Sequence, residues 1–306
     1  MKISVISPVY RAEKNLDELV ERIEHALLKI TNDFEFILID DASPDNSWIK
    51  IVEIAKKKKF VRGVKLSRNF GQHYAISAGI DLCDGDWIVV MDCDLQDQPE
   101  EIYKLYEKAK EGYHTVLARR FNRQDSFLKK AGSKLFYLTL GYLTGSKQDA
   151  TVANFGIYNQ KVITSIRNLP EKIRYFPTMV KWVGYSTAYI EVEHASRKEG
   201  NSSYSLKKLL NLALDIILAY SDKPLRMIVK AGIVIAMISF IVAIASVMAK
   251  LSGAYTVTGY ASLITSIWFL SGSIILTLGI VGLYVGKTFE SVKNRPIYII
   301  EKTTDE

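Results

Sequence analysis

Cysteine is scarce in this chain: Cys83 and Cys93 are the two in 306 residues. Two are too few for a disulfide framework, neither has metal-ligand spacing, and reduced thiols are expected. Gly-x-Gly-x-x-Gly is absent and so is a Walker motif, which argues against dinucleotide enzymes and P-loop NTPases. Met1 to Arg11 is not expected to be a signal peptide, because its apolar stretch is short and runs into Pro8 and Arg11. Lys and Arg outnumber Asp and Glu by 40 to 33, a net charge of +7. The basic residues form no RNA-binding motif, so no nucleic-acid partner is expected and the excess points to a membrane.

The longest absence is of charge itself. No charged residue lies between Ala231 and Ala249, or between Leu251 and Gly286. About 20 apolar residues span a bilayer as a helix. Two spans are expected, near 228–249 and 263–286, joined by the polar segment Lys250–Ser262. Lys223, Arg226 and Lys230 precede the first; Lys287, Lys293 and Arg295 follow the second. The positive-inside rule then puts both termini in the cytoplasm, in a multi-pass protein of the cytoplasmic (inner) membrane.

What is present in the first half is an alternation of strands and helices. Lys2–Ser7, Phe34–Ile39, Val61–Leu66 and Trp87–Met91 are short apolar runs that read as strands. Asn15–Ile30 carries one apolar face, and Asn15 with Glu18 has capping-box spacing. Asp40–Ser47 caps a helix to about Lys58, Ser67–Gln72 leads into another to about Leu82, and Pro99–Lys110 makes a fourth. This pattern predicts an α/β fold with a parallel sheet. Polar residues gather just after the strands, at Pro8–Tyr10, Asp40–Asp41, Ser67–Asn69 and Asp92–Asp97. Those ends share one sheet edge, where α/β folds bind ligands.

The last of these carries the sharpest chemistry. The run Trp87–Met91 ends in Asp92-Cys93-Asp94. Side chains alternate along a strand, so the two carboxylates are expected to point the same way with Cys93 opposite. Charges placed there need a partner, and the natural one is a divalent cation that also holds phosphate oxygens.

Further on, Arg119, Arg120, Arg123, Lys129, Lys130 and Lys134 alternate with aromatic and aliphatic residues. This is either a solvated helix face or an anion site near a lipid surface. Asp149–Tyr158 reads as a turn and strand, and Ile173–Tyr185 as helical. Val192–Tyr204, with His194, Arg197 and Lys198, reads as a mobile loop with anion-binding potential; His194 itself is given no role. Lys207–Tyr220 fits a helix in the membrane interface or a core helix.

Four motifs occur in order: Ser7-Pro8-Val9-Tyr10, Asp40-Asp41-Ala42-Ser43-Pro44-Asp45, Ser67-Arg68-Asn69-Phe70-Gly71 and Asp92-Cys93-Asp94-Leu95-Gln96-Asp97-Gln98-Pro99. Together they resemble the family 2 glycosyltransferases, whose A-type nucleotide-sugar-binding domain is Rossmann-like. The apolar spans, the loop Arg197–Tyr204 and the tail Val292–Tyr298 narrow the resemblance to the polyprenyl-phosphate glycosyltransferases. That branch includes dolichyl-phosphate mannose synthase and bacterial enzymes that act on undecaprenyl phosphate.

The resemblance implies roles. Pro8, Tyr10 and Asp41 would hold the nucleotide base. Asp92 would face the ribose and the metal, Asp94 would ligate Mg²⁺ or Mn²⁺, and Gln96 would lie near the sugar. Arg120, Lys129 and Ser133 would bind the acceptor phosphate, with Lys129 where an arginine is usual. Arg197 would lie on a loop closing over the donor. The implied organisation is a cytoplasmic catalytic domain over residues 1–205, an interfacial helix at 206–226, two membrane helices within 227–287 and a cytoplasmic tail at 288–306. The bacterial relatives form tetramers, so a homo-oligomer is implied as well.

One departure bears on mechanism. The bacterial glucosyl branch often has Gly-Asp-Phe-Arg where this chain has Ala153-Asn154-Phe155-Gly156. An amide is no general base, and Asp149 is the nearest remaining carboxylate. A phosphate monoester, with second pKa about 6, is largely ionised at neutral pH and attacks without losing a proton. The expected activity is therefore inverting transfer from a nucleoside diphosphate sugar, UDP-glucose or a related UDP-sugar, to polyprenyl phosphate in the bilayer. Two other readings stand beside it: a glycosyltransferase acting on a saccharide hydroxyl, which would want a base, and a catalytically silent nucleotide-sugar-binding scaffold.

Overall fold

The computed structural model describes residues 1–120, 152–192, 221, 223–251 and 259–305. The chain falls into two compact units. One comprises Met1–Leu138, Gln148–Ser205 and Arg295–Glu306; the other comprises Thr139–Lys147 and Leu206–Asn294.

In the first unit, strands β1 (Ile3–Val9), β2 (Phe34–Asp40), β3 (Val61–Leu66) and β4 (Trp87–Val90) alternate with helices α1 (Leu16–Leu27), α2 (Ser47–Lys57) and α3 (Gln72–Leu82). β1 runs parallel to both β2 and β4, and β2 runs parallel to β3. This half is the parallel sheet expected from the alternation. Beyond it the sheet is mixed. A 3₁₀ turn at Pro99–Glu101 and helix α4 (Ile102–Ala109) lead to β5 (Thr115–Arg120). β6 (Val152–Asn159) is antiparallel to both β4 and β5, and β5 is parallel to β7 (Thr187–Val192). Helices α5 (Gln160–Arg167) and α6 (Phe176–Trp182) connect β6 to β7.

An eighth strand, β8 (Ile300–Thr303), closes the other edge antiparallel to β3. Its partners run from Val64↔Thr303 to Leu66↔Ile300. It is pinned at both ends: Thr304 N–H donates to the Gly63 carbonyl at 3.0 Å, and Ser67 N–H donates to the Ile299 carbonyl at 2.9 Å. The described strands follow the order β7-β5-β6-β4-β1-β2-β3-β8. The residues that follow the last apolar helix thus complete the catalytic-side sheet.

β1 and β4 are largely apolar because both faces of the sheet are covered there. Ile3, Val5 and Val9 of β1 pack with Leu16, Leu19 and Ile23 of α1 in one core. Ile6 of the same strand packs on the opposite face with Ala75, Ile76 and Ile80 of α3. The expected capping box at Asn15 is not formed. Asn15 already has helical dihedrals and makes no side-chain cap bond, and Glu18 lies 3.4 Å from Arg22 instead. At α2 the turn does the capping: Asp45 accepts from the Ser47 N–H at 3.3 Å and from the Ser47 hydroxyl at 2.7 Å.

The second unit contains two long helices, α7 (Lys223–Leu251, 29 residues) and α8 (Tyr260–Val292, 33 residues). At about 1.5 Å per residue both exceed the roughly 30 Å of a bilayer core. The Tyr284 hydroxyl of α8 donates to the Ser221 carbonyl at 2.8 Å. Among the described residues one segment, Ser266–Val292 with mean hydropathy 1.9, is long and apolar enough to cross a membrane. The expected second span, 263–286, lies in α8. The expected first span, 228–249, lies in α7, whose crossing of a bilayer is not established.

Candidate active site

The parallel half of the sheet sets four strand ends side by side in the order β4, β1, β2, β3. The segments beyond those ends are therefore adjacent: Asp92 and Asp94 after β4, Tyr10 at the end of β1, Asp41 after β2, and Ser67–Gly71 after β3. Three residues along this edge that are not glycine hold left-handed backbone: Arg11 (φ 56°), Ala42 (φ 50°) and Leu95 (φ 59°). Such conformations cost about 1 kcal/mol or more each and cluster where function fixes a loop.

β4 ends at Val90, so Asp92 and Asp94 lie in the turn beyond the strand and not on it. The alternation persists nevertheless. Met91, Cys93, Leu95 and Asp97 are buried, while Asp92, Asp94, Gln96 and Gln98 are half-exposed. The two carboxylates do face away from Cys93. Burial, with both flanking aspartates adding to it, pushes the Cys93 thiol up to about 12, so it stays protonated. Asp94 accepts the backbone N–H of Gln96 at 3.2 Å, which tightens the turn.

Asp92 has a partner that no sequence motif announced. The side-chain amide of Gln72, the first residue of α3, donates to Asp92 Oδ1 at 2.6 Å. Asp41 is equally committed. It is buried, and its two oxygens accept the N–H groups of Phe70 (2.7 Å) and Gly71 (2.8 Å). Gly71 takes φ 106°, which is open to glycine and strained for other residues. Burial raises the Asp41 carboxyl above the usual range, and those two N–H bonds pull it back down. Tyr10 is 42% exposed on the same edge, while Pro8 sits inside β1 in register with Ile39.

On the far side of β4, Val90 is in register with Gly156 of β6. A Cβ at Gly156 would meet Leu117 Cδ2 and the Tyr158 hydroxyl at 2.9 Å and the Val116 carbonyl at 3.0 Å. Tyr158 therefore fills the space where an arginine side chain would begin, and position 156 supplies no cation.

Arg119, from the basic segment, stacks over the Tyr189 ring at 4.4 Å. Arg120 ends β5 in register with Val192, and its side chain is not described. Lys129, Ser133, Asp149 and Arg197 lie outside the described residues, as do His194 and the segment Lys207–Tyr220.

Residues 4–164 match the family described as "Glycosyl transferase family 2". The chain belongs to glycosyl transferase family 2. Within the family, it is 34% identical over 304 residues to the undecaprenyl-phosphate 4-deoxy-4-formamido-L-arabinose transferase of Proteus mirabilis, covering 98% of this chain and 93% of that one. It is also 34% identical over 301 residues to an uncharacterized glycosyltransferase of Synechocystis, covering 98% and 95%. Among solved structures, glucosyl-3-phosphoglycerate synthase from Mycobacterium tuberculosis, in complex with Mn²⁺, UDP and phosphoglyceric acid, superposes with a TM-score of 0.53 at 16% identity. That likeness covers 71% of this chain and 76% of the other, and it shows the α/β A-type glycosyltransferase fold.

The donor set of this family 2 site fits a hard divalent cation of the Mg²⁺ or Mn²⁺ kind. Among the described residues no group of three or more His, Cys, Asp or Glu forms a protein cage. Two carboxylates one residue apart, with substrate phosphates completing the shell, are the usual provision for such an ion.

Proposed function

We propose that this protein transfers a sugar from a UDP-sugar to polyprenyl phosphate, inverting the anomeric centre. The observation that carries the reading is the row of strand ends. It sets the Asp92–Asp94 pair beside Tyr10 and Asp41 in a chain whose C-terminal part is long apolar helix. In this reading Pro8, Tyr10 and Asp41 form the base end of the donor site, Asp41 by fixing the Phe70–Gly71 backbone. Asp92 and Asp94 hold Mg²⁺ or Mn²⁺, and Gln96 lies towards the sugar. When bound, the cation supplies charge stabilisation to the departing diphosphate. Arg120, Lys129 and Ser133 take the acceptor phosphate, and Arg197 covers the donor.

The acceptor oxygen is already ionised near neutral pH, with a second pKa about 6, so attack on the anomeric carbon needs no proton acceptor. Asn154, an amide that cannot act as a base, agrees with such a route. Asp149 is then a residue that orients the sugar. Positioning supplies the remainder of the acceleration. UDP-glucose is the donor expected from the sequence, within the wider class of UDP-sugars. The relatives named for 4-deoxy-4-formamido-L-arabinose bring that sugar, as its UDP derivative, forward as the first to try beside it.

The proposal places the enzyme in the cytoplasmic membrane with both termini in the cytoplasm and α7 and α8 as the two spans. β8 supports this. It follows α8 and belongs to the same sheet as β1, which agrees with two crossings between them. A homo-oligomer, implied by the family resemblance, is part of the same proposal.

The reading predicts a strict need for the acceptor's phosphate. With one labelled donor, undecaprenyl phosphate should accept sugar at least about a hundredfold faster than undecaprenol, whose hydroxyl must lose a proton. Equal rates would contradict it.

A further inference from the structure

Gln72 belongs to no assigned role, yet it connects the two ends of the site. Asp41 after β2 grips the N–H groups of Phe70 and Gly71. The next residue is Gln72, whose amide donates to Asp92 after β4 at 2.6 Å. The Asn69 side chain adds a bond to the Asp41 carbonyl at 3.3 Å. Asp41 and Asp92 follow strands separated by β1 in the sheet. Three consecutive residues, 70 to 72, thus bridge from one carboxylate to the other.

The chemistry of an amide suits this place. A lysine or arginine on Asp92 would cancel the negative charge that attracts a divalent cation. An aliphatic side chain would give the carboxylate no donor from this helix. A neutral donor fixes orientation and leaves the charge in place, which is how outer-shell groups tune metal ligands. Glutamine has the reach to do so from the first turn of α3, and Gly71 sets the angle at which that helix begins.

We propose that Gln72 is the positioning residue of the cation site. Through the Phe70–Gly71 backbone it also couples Asp41 to the orientation of Asp92. This rests on the proposed function, in which Asp92 and Asp94 hold the cation.

The test is Mn²⁺ binding by full-length protein in detergent, followed by electron paramagnetic resonance with UDP present. Gln72→Met keeps the volume and removes the donor; Gln72→Ala removes both. Each variant is expected to weaken Mn²⁺ at least about tenfold, the lower range for losing an outer-shell partner. The Mn²⁺ concentration for half-maximal turnover should rise in step, with kcat at saturating Mn²⁺ within about threefold of wild type and Tm within a few degrees. A structural role alone would lower Tm and leave Mn²⁺ affinity unchanged, and that result in either folded variant would overturn the assignment. Failure of the wild type to bind Mn²⁺ with UDP present would instead overturn the cation site, and this inference with it.

Discussion

Asp94→Ala is expected to lower sugar transfer by at least about a thousandfold, because in the proposed function it removes one of the two carboxylates that hold the cation stabilising the leaving diphosphate. The side chain is half-exposed and lies in a turn, so the fold should survive its removal. It accepts the Gln96 N–H at 3.2 Å. Asp94→Asn separates the two contributions. The amide oxygen can keep that bond while the negative charge is gone. If charge is what matters, Asn and Ala should be about equally inactive, with thermal midpoints close to wild type. Near wild-type turnover by Asp94→Asn with saturating Mg²⁺ or Mn²⁺ would remove Asp94 from the cation site.

Truncation after Asn294 is expected to have the largest effect on stability. It deletes β8 and leaves β3 as an open edge. The lost contacts are numerous: the ladder with Val64–Leu66, the Thr304 and Ile299 backbone bonds, and the Tyr298 hydroxyl on Asp81 at 2.7 Å. Tyr298 and Ile300 also pack against the α3-side core. Partial burial of two such side chains is worth about 3 kcal/mol. For a catalytic unit of this size that corresponds to a fall in Tm of about 10 °C. Exposed β3 should also promote aggregation, as unpaired edges do. The measurement is a thermal melt of truncated and full-length protein in the same detergent. A midpoint within about 2 °C of full length would mean that β8 contributes little.

The same strand shows where sequence reading stops. Ile300-Glu301-Lys302-Thr303 has one apolar residue among charged ones and follows a 33-residue apolar helix. The run Ile297-Tyr298-Ile299-Ile300 that leads into it favours β, but only pairing with β3 fixes where the strand lies. β1 to β4 were legible because strands covered on both faces are mostly apolar and β-branched, and their expected and observed limits differ by at most two residues. The direction of β6 was not legible, since an antiparallel strand inserted between β4 and β5 has the same apolar content as a parallel one. Asn15 and Glu18 had the spacing of a capping box, but Asn15 already sits in helical geometry, so its side chain never reaches back.

In the site, Asp92 and Asp94 stood out in the sequence because an apolar run ends in paired carboxylates. Asp41 was named by resemblance, but its grip on Phe70 and Gly71 depends on two loops meeting after β2 and β3, which spacing alone does not reveal. Gln72 was missed altogether. A glutamine at the start of a helix is ordinary in sequence, and only the approach of α3 to the end of β4 gives it Asp92 as a partner.

The central claim is transfer to a lipid phosphate. Its most direct test uses full-length protein in detergent with Mg²⁺ and undecaprenyl phosphate. A panel of labelled UDP- and GDP-sugars would include UDP-glucose and UDP-4-deoxy-4-formamido-L-arabinose, and label is counted in the organic phase. Organic-phase label with a UDP-sugar, and none when undecaprenyl phosphate or the divalent cation is left out, is the predicted result. Free nucleotide appearing in the water phase while no donor gives organic-phase label would contradict the claim and assign a different acceptor.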